Sequence, residues 1–263
     1  MGGCGGFGRR FAQELKSTGA TVTTVDTVEG ADLRCDLAQE PELAQALLGS
    51  ADLIFLCLPE AAAVAVLPAI SPYVGPEQLV VDICSVKTPI TSVAEQYCLN
   101  AEYVSFHPMF GPDRPLEGSN GVFIPIRARE QAGRLRQFLL SLGLNLIDSD
   151  VETHDQVASM VQVIPHLLLI TFAKLRSQMP VDEALVQAFS TPIFRDLEKV
   201  SQGLVRENPS LYHNIQNANP YADAARQLVQ HALQSTRATV QDSDVALTEA
   251  LFAAAQREWR DLS

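Results

Sequence analysis

The stretch SFHPMFGPD, residues 105 to 113, places a histidine directly before a proline and then turns the chain at Gly-Pro. Gly111 and Pro112 suffice for a turn, so the turn itself does not require His107. Pro108 stiffens the backbone and favours an extended conformation at His107, which fixes the direction of the imidazole. A neutral imidazole is suited to accepting a proton near neutral pH. The stretch therefore indicates a loop that exists to hold the imidazole, the alternative being a histidine that only caps its own loop.

A second stretch with chemical potential opens the chain: MGGCGGFGRRF, in which Gly3, Gly5 and Gly8 have the spacing GxGxxG. Such a loop lets backbone N–H groups approach a pyrophosphate at a helix N-terminus. Asp26 ends the run ATVTTVD about twenty residues later, where a carboxylate can bind the adenosine ribose hydroxyls. No Arg or Lys follows closely to meet a 2′-phosphate, so the pattern favours NAD over NADP. Further residues expected at the cofactor are Gly6, Phe7, Leu58 and Pro59. The alternative is a Gly-rich tail beside an unrelated aspartate.

The elements that must position these residues alternate over the first part of the chain. Short apolar runs such as ADLIFLCLP, QLVVDIC and EYVSF are typical of strands, and segments with helical spacing lie between them. This alternation predicts an α/β domain over residues 1–149, a doubly wound parallel sheet of Rossmann-like type. Strand patterns stop after about Asp150, and residues 150–263 predict an all-α domain. Its first long helix should bend at Pro165.

One element is missing from this pattern. A glycine loop normally follows a strand, and here only Met1 precedes it. That strand would lie in the middle of the sheet, so its absence would leave backbone groups of its neighbours unpaired. We therefore expect the natural chain to begin upstream, and a longer chain to melt at a higher temperature.

Composition and charge exclude several classes of protein. The net charge is −12 with no Lys/Arg run, which argues against nucleic-acid binding. The five cysteines form no CxxC pair, and several lie in apolar runs, so we expect reduced thiols in a cytoplasmic protein. The apolar runs LIFLCLP and VIPHLLLITFA are too short to cross a bilayer, and we expect no signal peptide before them.

Two polar side chains should lie near His107 at the edge of the sheet. The strand in VVDICSVKTPI ends in a turn with Ser85 and Lys87. Ligands of doubly wound sheets bind beyond the carboxyl ends of the strands, so this turn and His107 should face the nicotinamide together. Lys87 could attract a substrate carboxylate, or it could lie on the surface.

Five motifs occur in order along the chain: GGxGxxG, DICSVK, HPMFGPD, THDQ…H and NPSLYHNI. Together they resemble the prephenate dehydrogenase family, which includes arogenate and aminodeoxyprephenate dehydrogenases. The resemblance extends over nearly the whole chain. It implies transfer of hydride from ring C4 of prephenate to NAD and loss of the ring carboxylate as CO2. The product would be 4-hydroxyphenylpyruvate, a precursor in tyrosine biosynthesis.

The resemblance also implies roles for individual residues. His107 would accept the proton of the C4 hydroxyl, and Ser85 would orient the imidazole or the bound ring. His166, on the long helix, would contact the substrate, and Asp113 matches an acidic position of the family. A family pair His-Asp is matched at residues 154–155. Near a helix start, these two side chains could be only capping and dipole partners.

The chain departs from the family at a position that matters for the substrate. Members that use prephenate typically have an arginine after the NPxLY segment, and Tyr221 stands there instead. A tyrosine donates one hydrogen bond but has no charge. Lys87 or Arg226, about one helical turn beyond Tyr221, could replace the missing cation. Alternatively the substrate differs, or the protein binds NAD without efficient catalysis.

Four hypotheses remain for the whole protein. The first is an NAD-dependent dehydrogenase acting on prephenate, and the second is the same chemistry on 4-amino-4-deoxyprephenate or arogenate. The third is a catalytically weak NAD-binding sensor. The fourth is a β-hydroxyacid dehydrogenase, which would need a catalytic lysine such as Lys174. Apolar positions on several faces of ALTEALFAAAQREW predict a homodimer formed through the helical domain.

Overall fold

The computed structural model describes residues 1–97 and 100–260, and Cys98 lies outside these ranges. The described chain forms two compact units. Met1–Ala158 with Asn208–Pro220 forms the first, and Ser159–Glu207 with the chain from Tyr221 onward forms the second. Because the segment 208–220 packs with the first unit, compactness gives no single boundary. The division predicted at residue 149 stays a prediction.

The first unit contains two sheets. A two-stranded parallel sheet consists of β1 (Val25–Asp26) and β2 (Leu33–Arg34). The strands of a five-stranded sheet lie in chain order: β3 (Leu53–Leu56), β4 (Leu79–Asp82), β5 (Glu102–Pro108), β6 (Asn120–Arg127) and β7 (Asn145–Asp148). β3, β4 and β5 are parallel, β6 is antiparallel to β5, and β7 is parallel to β6. The predicted Rossmann-like fold class is confirmed. The sheet differs from the predicted fully parallel one in that β6 runs antiparallel to β5.

The helices follow the strands in the predicted alternation. The first unit contains α1 (Gly6–Ser17), α2 (Gln45–Ser50), α3 (Glu60–Ile70), α4 (Thr88–Tyr97), α5 (Glu130–Ser141) and α6 (Val151–Ala158). Next come α7 (Ile164–Gln178), α8 (Glu183–Phe189), α9 (Pro192–Val205), α10 (Pro209–Ala218), α11 (Ala222–Gln241) and α12 (Val245–Arg260). α10 belongs to the first unit, and the other five form the mostly helical second unit.

Apolar side chains on the parallel strands form two cores. Val80 and Tyr103 belong to one buried cluster, while Val81 and Val104 belong to the other. Because successive strand residues point to opposite faces, the two clusters lie on opposite faces of the sheet. The continuous apolar runs in the sequence are explained by this burial on both faces.

The region of the expected extra strand is bridged by the first residues of the chain. The N–H of Cys57 donates to the carbonyl of Met1 at 2.9 Å, and the N–H of Gly3 donates to the carbonyl of Val25 at 3.3 Å. These bonds connect the two-stranded sheet with the five-stranded sheet through residues 1–3. The higher melting temperature expected of a longer chain stays a prediction.

A π-helical segment, Ser159–Val163, separates α6 from α7. It ends just before Pro165, which occupies the first turn of α7. Proline has no N–H to donate to the preceding turn, and a wider π turn accommodates that loss. The bend predicted at Pro165 stays a prediction, and the structure shows a π segment just before this proline.

The helical run Val151–Gln178 is 28 residues long, and its most apolar 18-residue window has a mean hydropathy of 1.6, so by length and composition alone it could span a bilayer. The apolar run VIPHLLLITFA is one part of this helix, which continues beyond it on both sides. Only 17% of its most apolar window is buried. The run therefore presents an apolar surface that needs a physical explanation.

The second unit exposes many large apolar side chains. Inside it, Phe172 and Phe194 pack edge to face at 5.9 Å, and the Ser201 hydroxyl donates to the Leu169 carbonyl at 3.0 Å. Outside, Phe189 and Ile193 are each 81% exposed. On α12, Val245, Phe252 and Trp259 are also exposed. Such a surface is typical of a protein–protein interface.

Glu102, at the start of β5, holds the N-terminus of α5. Its buried carboxylate accepts the N–H groups of Arg129, Gln131 and Ala132 at 2.6, 2.9 and 2.9 Å. Burial alone would raise the pKa of this carboxyl, but these bonds hold it below its usual value. The charge thus satisfies helix N–H groups that have no partner within the helix.

We expect Glu102→Gln to lower the free energy of unfolding by about 1–3 kcal/mol at neutral pH, because the new amide meets an N–H donor. A carboxyl with a depressed pKa stabilises above its unfolded pKa, so the loss should shrink as pH falls below the ordinary value of 4.5. Urea unfolding at neutral pH and at a pH below 4.5 measures the loss of stability. Glu77→Gln, on an exposed residue, is the control. Equal stability of wild type and Glu102→Gln at neutral pH would contradict the role of Glu102.

Candidate active site

The candidate site is at the carboxyl ends of β3, β4 and β5. Leu56, Asp82 and Ser105 are aligned across these strands, and His107 follows two residues later. His107 is still within β5, pairs with Val122 of β6 and is 2% exposed. Its expected position in a loop after the strand is wrong, because the antiparallel β6 extends the ladder to Pro108. The edge of the sheet is the one predicted.

Lys87 forms a buried ion pair in the turn after β4. Its ammonium Nζ lies 3.0 Å from Oδ1 of Asp82 and donates to the Phe106 carbonyl at 2.9 Å. Tyr103 donates its hydroxyl to the other carboxylate oxygen of Asp82 at 2.8 Å. Lys87 has no exposed surface, so the surface alternative for this residue is wrong. The pair fastens the turn to the peptide next to His107.

His107 is in contact with a second histidine and, through it, with a carboxylate. Nδ1 of His107 lies 2.8 Å from Nε2 of His154. Nδ1 of His154 lies 2.8 Å from Oδ1 of Asp155. All three side chains are buried, and His154 and Asp155 lie on α6. The three side chains therefore form one continuous hydrogen-bonded chain that ends at the strand.

Asp155 is tied into the turn after β4 as well. Its carboxylate accepts the N–H groups of Lys87 and Thr88, each at 2.9 Å, and the Thr88 hydroxyl at 2.7 Å. Asn219 donates its side-chain amide to the backbone carbonyl of Asp155 at 2.8 Å. Burial would raise the pKa of Asp155, but the bonds from His154, Thr88 and Lys87 hold it below its usual value. Asp155 is therefore a buried anion.

The same surroundings keep His107 neutral. Burial lowers the pKa of His107 well below 6.5, and the positive charge of Lys87 and the neighbouring His154 lower it further. An imidazole with such a pKa is unprotonated at neutral pH and can accept a proton. Burial and the charge of Asp155 act in the opposite direction on Glu60, whose pKa is raised to about 7.

A pocket of about 510 Å³ lies beside the glycine loop. Its walls include Gly5, Asp26, Leu58 and Pro59, all expected at a cofactor. Asp26 accepts the N–H of Cys4 at 2.9 Å, which couples its carboxylate to the loop. Its position beside the glycine loop and Asp26 is the one expected of a dinucleotide site.

The tight path of the loop depends on residues without side chains. A Cβ on Gly8 would come within 2.0 Å of the Gly2 carbonyl oxygen and 2.8 Å of Gly3 Cα. Gly2 itself has φ of 67° and lies against the carbonyl of Cys57. Glycines at these positions let the turn pass directly over the start of α1, which leaves the helix N-terminus open to an anion.

The segment after His107 packs against the same loop. A Cβ on Gly6 would lie 2.6 Å from Cγ of Pro112, and the rings of Phe7 and Phe110 meet edge to face at 5.8 Å. The structure thus brings the glycine loop and the HPMFGPD segment into contact. Gly6 and Phe7 connect the two motifs and are absent from the walls of the pocket.

The other predicted residues are more dispersed. Ser85 is half-buried in the turn after β4, and Asp113 is exposed in the turn after β5. His166, Tyr221 and Arg226 belong to the second unit. Burial lowers the pKa of His166. Tyr221 occupies the N-cap position of α11, and Arg226 pairs with Asp223 at 3.4 Å.

Sequence reasoning underestimated the pair His154 and Asp155. Their position near a helix start suggested capping, whereas both are buried in contact with the site. Spacing could not reveal this, since the partners lie 47 and 68 residues away in the chain. The motif THDQ was the one signal that pointed to them.

The fold and the site define a nucleotide-binding oxidoreductase. A model of the prephenate dehydrogenase nucleotide-binding domain matches residues 11–123, and one of the prephenate dehydrogenase dimerization domain matches residues 150–253. The chain belongs to the prephenate dehydrogenase family, as the motifs predicted. The β-hydroxyacid dehydrogenase alternative is set aside, and Lys174 is exposed.

Individual relatives differ in substrate. The 4-amino-4-deoxyprephenate dehydrogenase of Streptomyces pristinaespiralis is 25% identical over 96% of this chain and 88% of its own length. A probable arogenate/prephenate dehydrogenase of Methanocaldococcus jannaschii is 27% identical over 84% of this chain, which spans 51% of that relative. The fold matches prephenate dehydrogenase of A. aeolicus, solved with hydroxyphenyl propionate and NAD+, with a TM-score of 0.73 at 18% identity over 97% and 94% of the two chains.

We expect Lys87→Met to lower the free energy of unfolding by about 3–5 kcal/mol, because it leaves the charge of Asp82 buried without its partner. Urea unfolding followed by circular dichroism measures the loss. Lys199→Met, which removes an exposed lysine, is the matched control. A loss no larger than that of the control would show that the buried pair does not stabilise the turn.

Proposed function

We propose that this protein catalyses the NAD-dependent oxidative decarboxylation of prephenate or a close analogue, with His107 as general base. The observation that supports the proposal most strongly is a buried neutral imidazole at the edge of a dinucleotide-binding sheet. Family membership supports the reaction class, and the buried position of His107 at this edge of the sheet supports its assignment as the base.

NAD is the nucleotide for this domain. The glycine loop beside the pocket suits a pyrophosphate, because Gly3 and Gly8 let its backbone pass close to Thr24 and over the start of α1. Asp26, in the wall of the pocket, suits ribose hydroxyls and would repel a 2′-phosphate. A solved relative holds NAD+. When bound, NAD supplies the acceptor for the hydride of the substrate ring.

His107 has one task in this proposal, to take the proton of the C4 hydroxyl as that carbon becomes a carbonyl. The carbonyl is the electron sink for loss of the ring carboxylate as CO2, and the ring becomes aromatic. Ser85, in the turn beside the same edge, would orient the substrate ring. Lys87 is committed to Asp82 and Phe106, so we assign it to support of the site rather than to the substrate.

A second candidate is the same reaction on 4-amino-4-deoxyprephenate. By the family resemblance, Tyr221 stands where members that use prephenate typically have an arginine. The 4-amino-4-deoxyprephenate dehydrogenase of Streptomyces pristinaespiralis matches this chain over 88% of its own length. His107 would then take a proton from the C4 amine. His166, Arg226 and Asp113 are proposed as residues that distinguish the substrates. Arogenate is the third compound to compare.

We propose that the protein is a homodimer. Helix α12 and the helical run Val151–Gln178 expose apolar side chains, and the matched family domain is a dimerization domain. A second copy covering these faces accounts for their exposure in one chain. Cys4, Cys35, Cys57 and Cys84 are free thiols, in keeping with the proposed cytoplasmic location.

The substrate test follows NADH absorbance with prephenate, 4-amino-4-deoxyprephenate and arogenate in turn. We expect turnover of at least one, with kcat/KM ranking the three. If none is turned over while NAD binds, the protein is an NAD sensor and the enzyme proposal fails.

His107→Asn should lower kcat by about 10²- to 10⁴-fold, the usual contribution of a general base, and should leave the Kd for NAD unchanged. His231→Asn, on an exposed helical residue, is the control and should keep full activity. Steady-state kinetics and calorimetric titration with NAD measure the two effects. An unchanged kcat in His107→Asn removes this residue from the proposed role.

Gly8→Ala should weaken NAD binding at least about tenfold, because the added methyl group forces the loop away from α1. Gly49→Ala is the control, since a Cβ at Gly49 meets no atom within 4 Å. Equal affinity of both variants for NAD would place the nucleotide elsewhere.

A further inference from the structure

We propose that Asp155 and His154 are positioning residues that hold His107 in the tautomer protonated on Nδ1, which leaves the lone pair of Nε2 as the base. The inference rests on the proposed function for its catalytic meaning. Its structural content, the position of one proton, can be measured without any turnover.

The argument begins at Asp155. Oδ1 accepts the N–H of Lys87, while Oδ2 accepts the N–H and the hydroxyl of Thr88. Backbone N–H groups cannot accept a proton, so a protonated carboxyl would lose bonds in a buried site. The carboxylate is therefore ionised and acts only as an acceptor.

The next proton is on His154. Because Oδ1 of Asp155 only accepts, the ring nitrogen 2.8 Å away must donate to it. Nδ1 of His154 therefore has the hydrogen, and in the neutral ring Nε2 has the lone pair. The carbonyl of Asp155, held by Asn219, fixes the backbone of α6 at this point.

The last step sets the tautomer of His107. Nε2 of His154 accepts at 2.8 Å, so Nδ1 of His107 must donate. In a neutral imidazole the second nitrogen then has no hydrogen. Nε2 of His107 is the atom left to take a proton from a substrate, and its direction is fixed by the bond on the other side of the ring.

For two neutral rings, the opposite order of protons is disfavoured by the same contacts. If His107 had its hydrogen on Nε2, its Nδ1 would be an acceptor facing His154. His154 would then have to donate through Nε2, and either its Nδ1 lone pair would face the Asp155 carboxylate or the ring would be a buried cation. The first alternative places two acceptors 2.8 Å apart, which costs free energy in a buried site.

The direct test is 15N NMR of the imidazole rings at neutral pH. The chain has five histidines, so selective labelling gives few signals. The His107 signal is identified by its disappearance in His107→Asn. We expect the proton on Nδ1 and the shift of an unprotonated nitrogen at Nε2. A proton on Nε2 would overturn the proposal, whether or not the protein turns over any substrate.

Two variants at residue 154 separate positioning from mere packing. The side-chain oxygen in His154→Gln can occupy the place of Nε2 and accept from His107, whereas His154→Leu offers no acceptor. We expect His154→Leu to show averaged tautomers of His107 and a kcat about 10- to 100-fold lower, with KM unchanged. His154→Gln should retain the Nδ1 proton and most of kcat.

The outcomes distinguish this inference from the proposed function. The Nδ1 proton in wild type and its loss in His154→Leu support the inference even if no substrate is turned over. Equal kcat in both variants, or an unchanged tautomer in His154→Leu, contradicts it. If His154→Leu does not fold, the wild-type spectrum and His154→Gln still decide.

Discussion

The buried negative charge of Asp155 is the constraint on which the rest of the site depends. A carboxylate removed from water must be compensated by hydrogen bonds, and here the compensation comes from the turn after β4 and from His154. Each bond to a charged group contributes about 1.5–3 kcal/mol. Because the partners come from distant parts of the chain, the charge also fixes α6 against the sheet. This arrangement places His154 in contact with His107 and holds the turn that contains Lys87 beside it.

A general base must be neutral and correctly oriented before the substrate arrives. Burial and the nearby Lys87 keep His107 neutral, and the histidine chain orients it. The free-energy cost of burying the Lys87 ammonium is offset by its bonds to Asp82 and the Phe106 carbonyl, which replace the bonds that water would make. The glycine loop is joined to the same strand through Pro112 and Phe110. Cofactor loop and base are thus parts of one packed structure.

Local patterns in the sequence predicted the parallel strands, the glycine loop and the importance of His107. Each of these depends on neighbouring residues: apolar runs, glycine spacing and a proline after the histidine. Lys87 and the pair at residues 154–155 were harder, because their partners are remote in sequence and burial decides their role. The end of β5 was placed too early, since the strand that extends it, β6, pairs from further along the chain. The long helix through Pro165 was predicted, whereas the exposure of most of its apolar window depends on packing that no local pattern reports.

The central claim is that burial holds His107 as a neutral base. The measurement that tests it most directly is the dependence of kcat/KM on pH between about 5 and 9, with the substrate that is turned over best. The account predicts that the rate falls on the acid side with a pKa below 6.5, the ordinary value for histidine. An acid limb at 6.5 or above would contradict it, because the imidazole would then be as solvated as one in a free peptide.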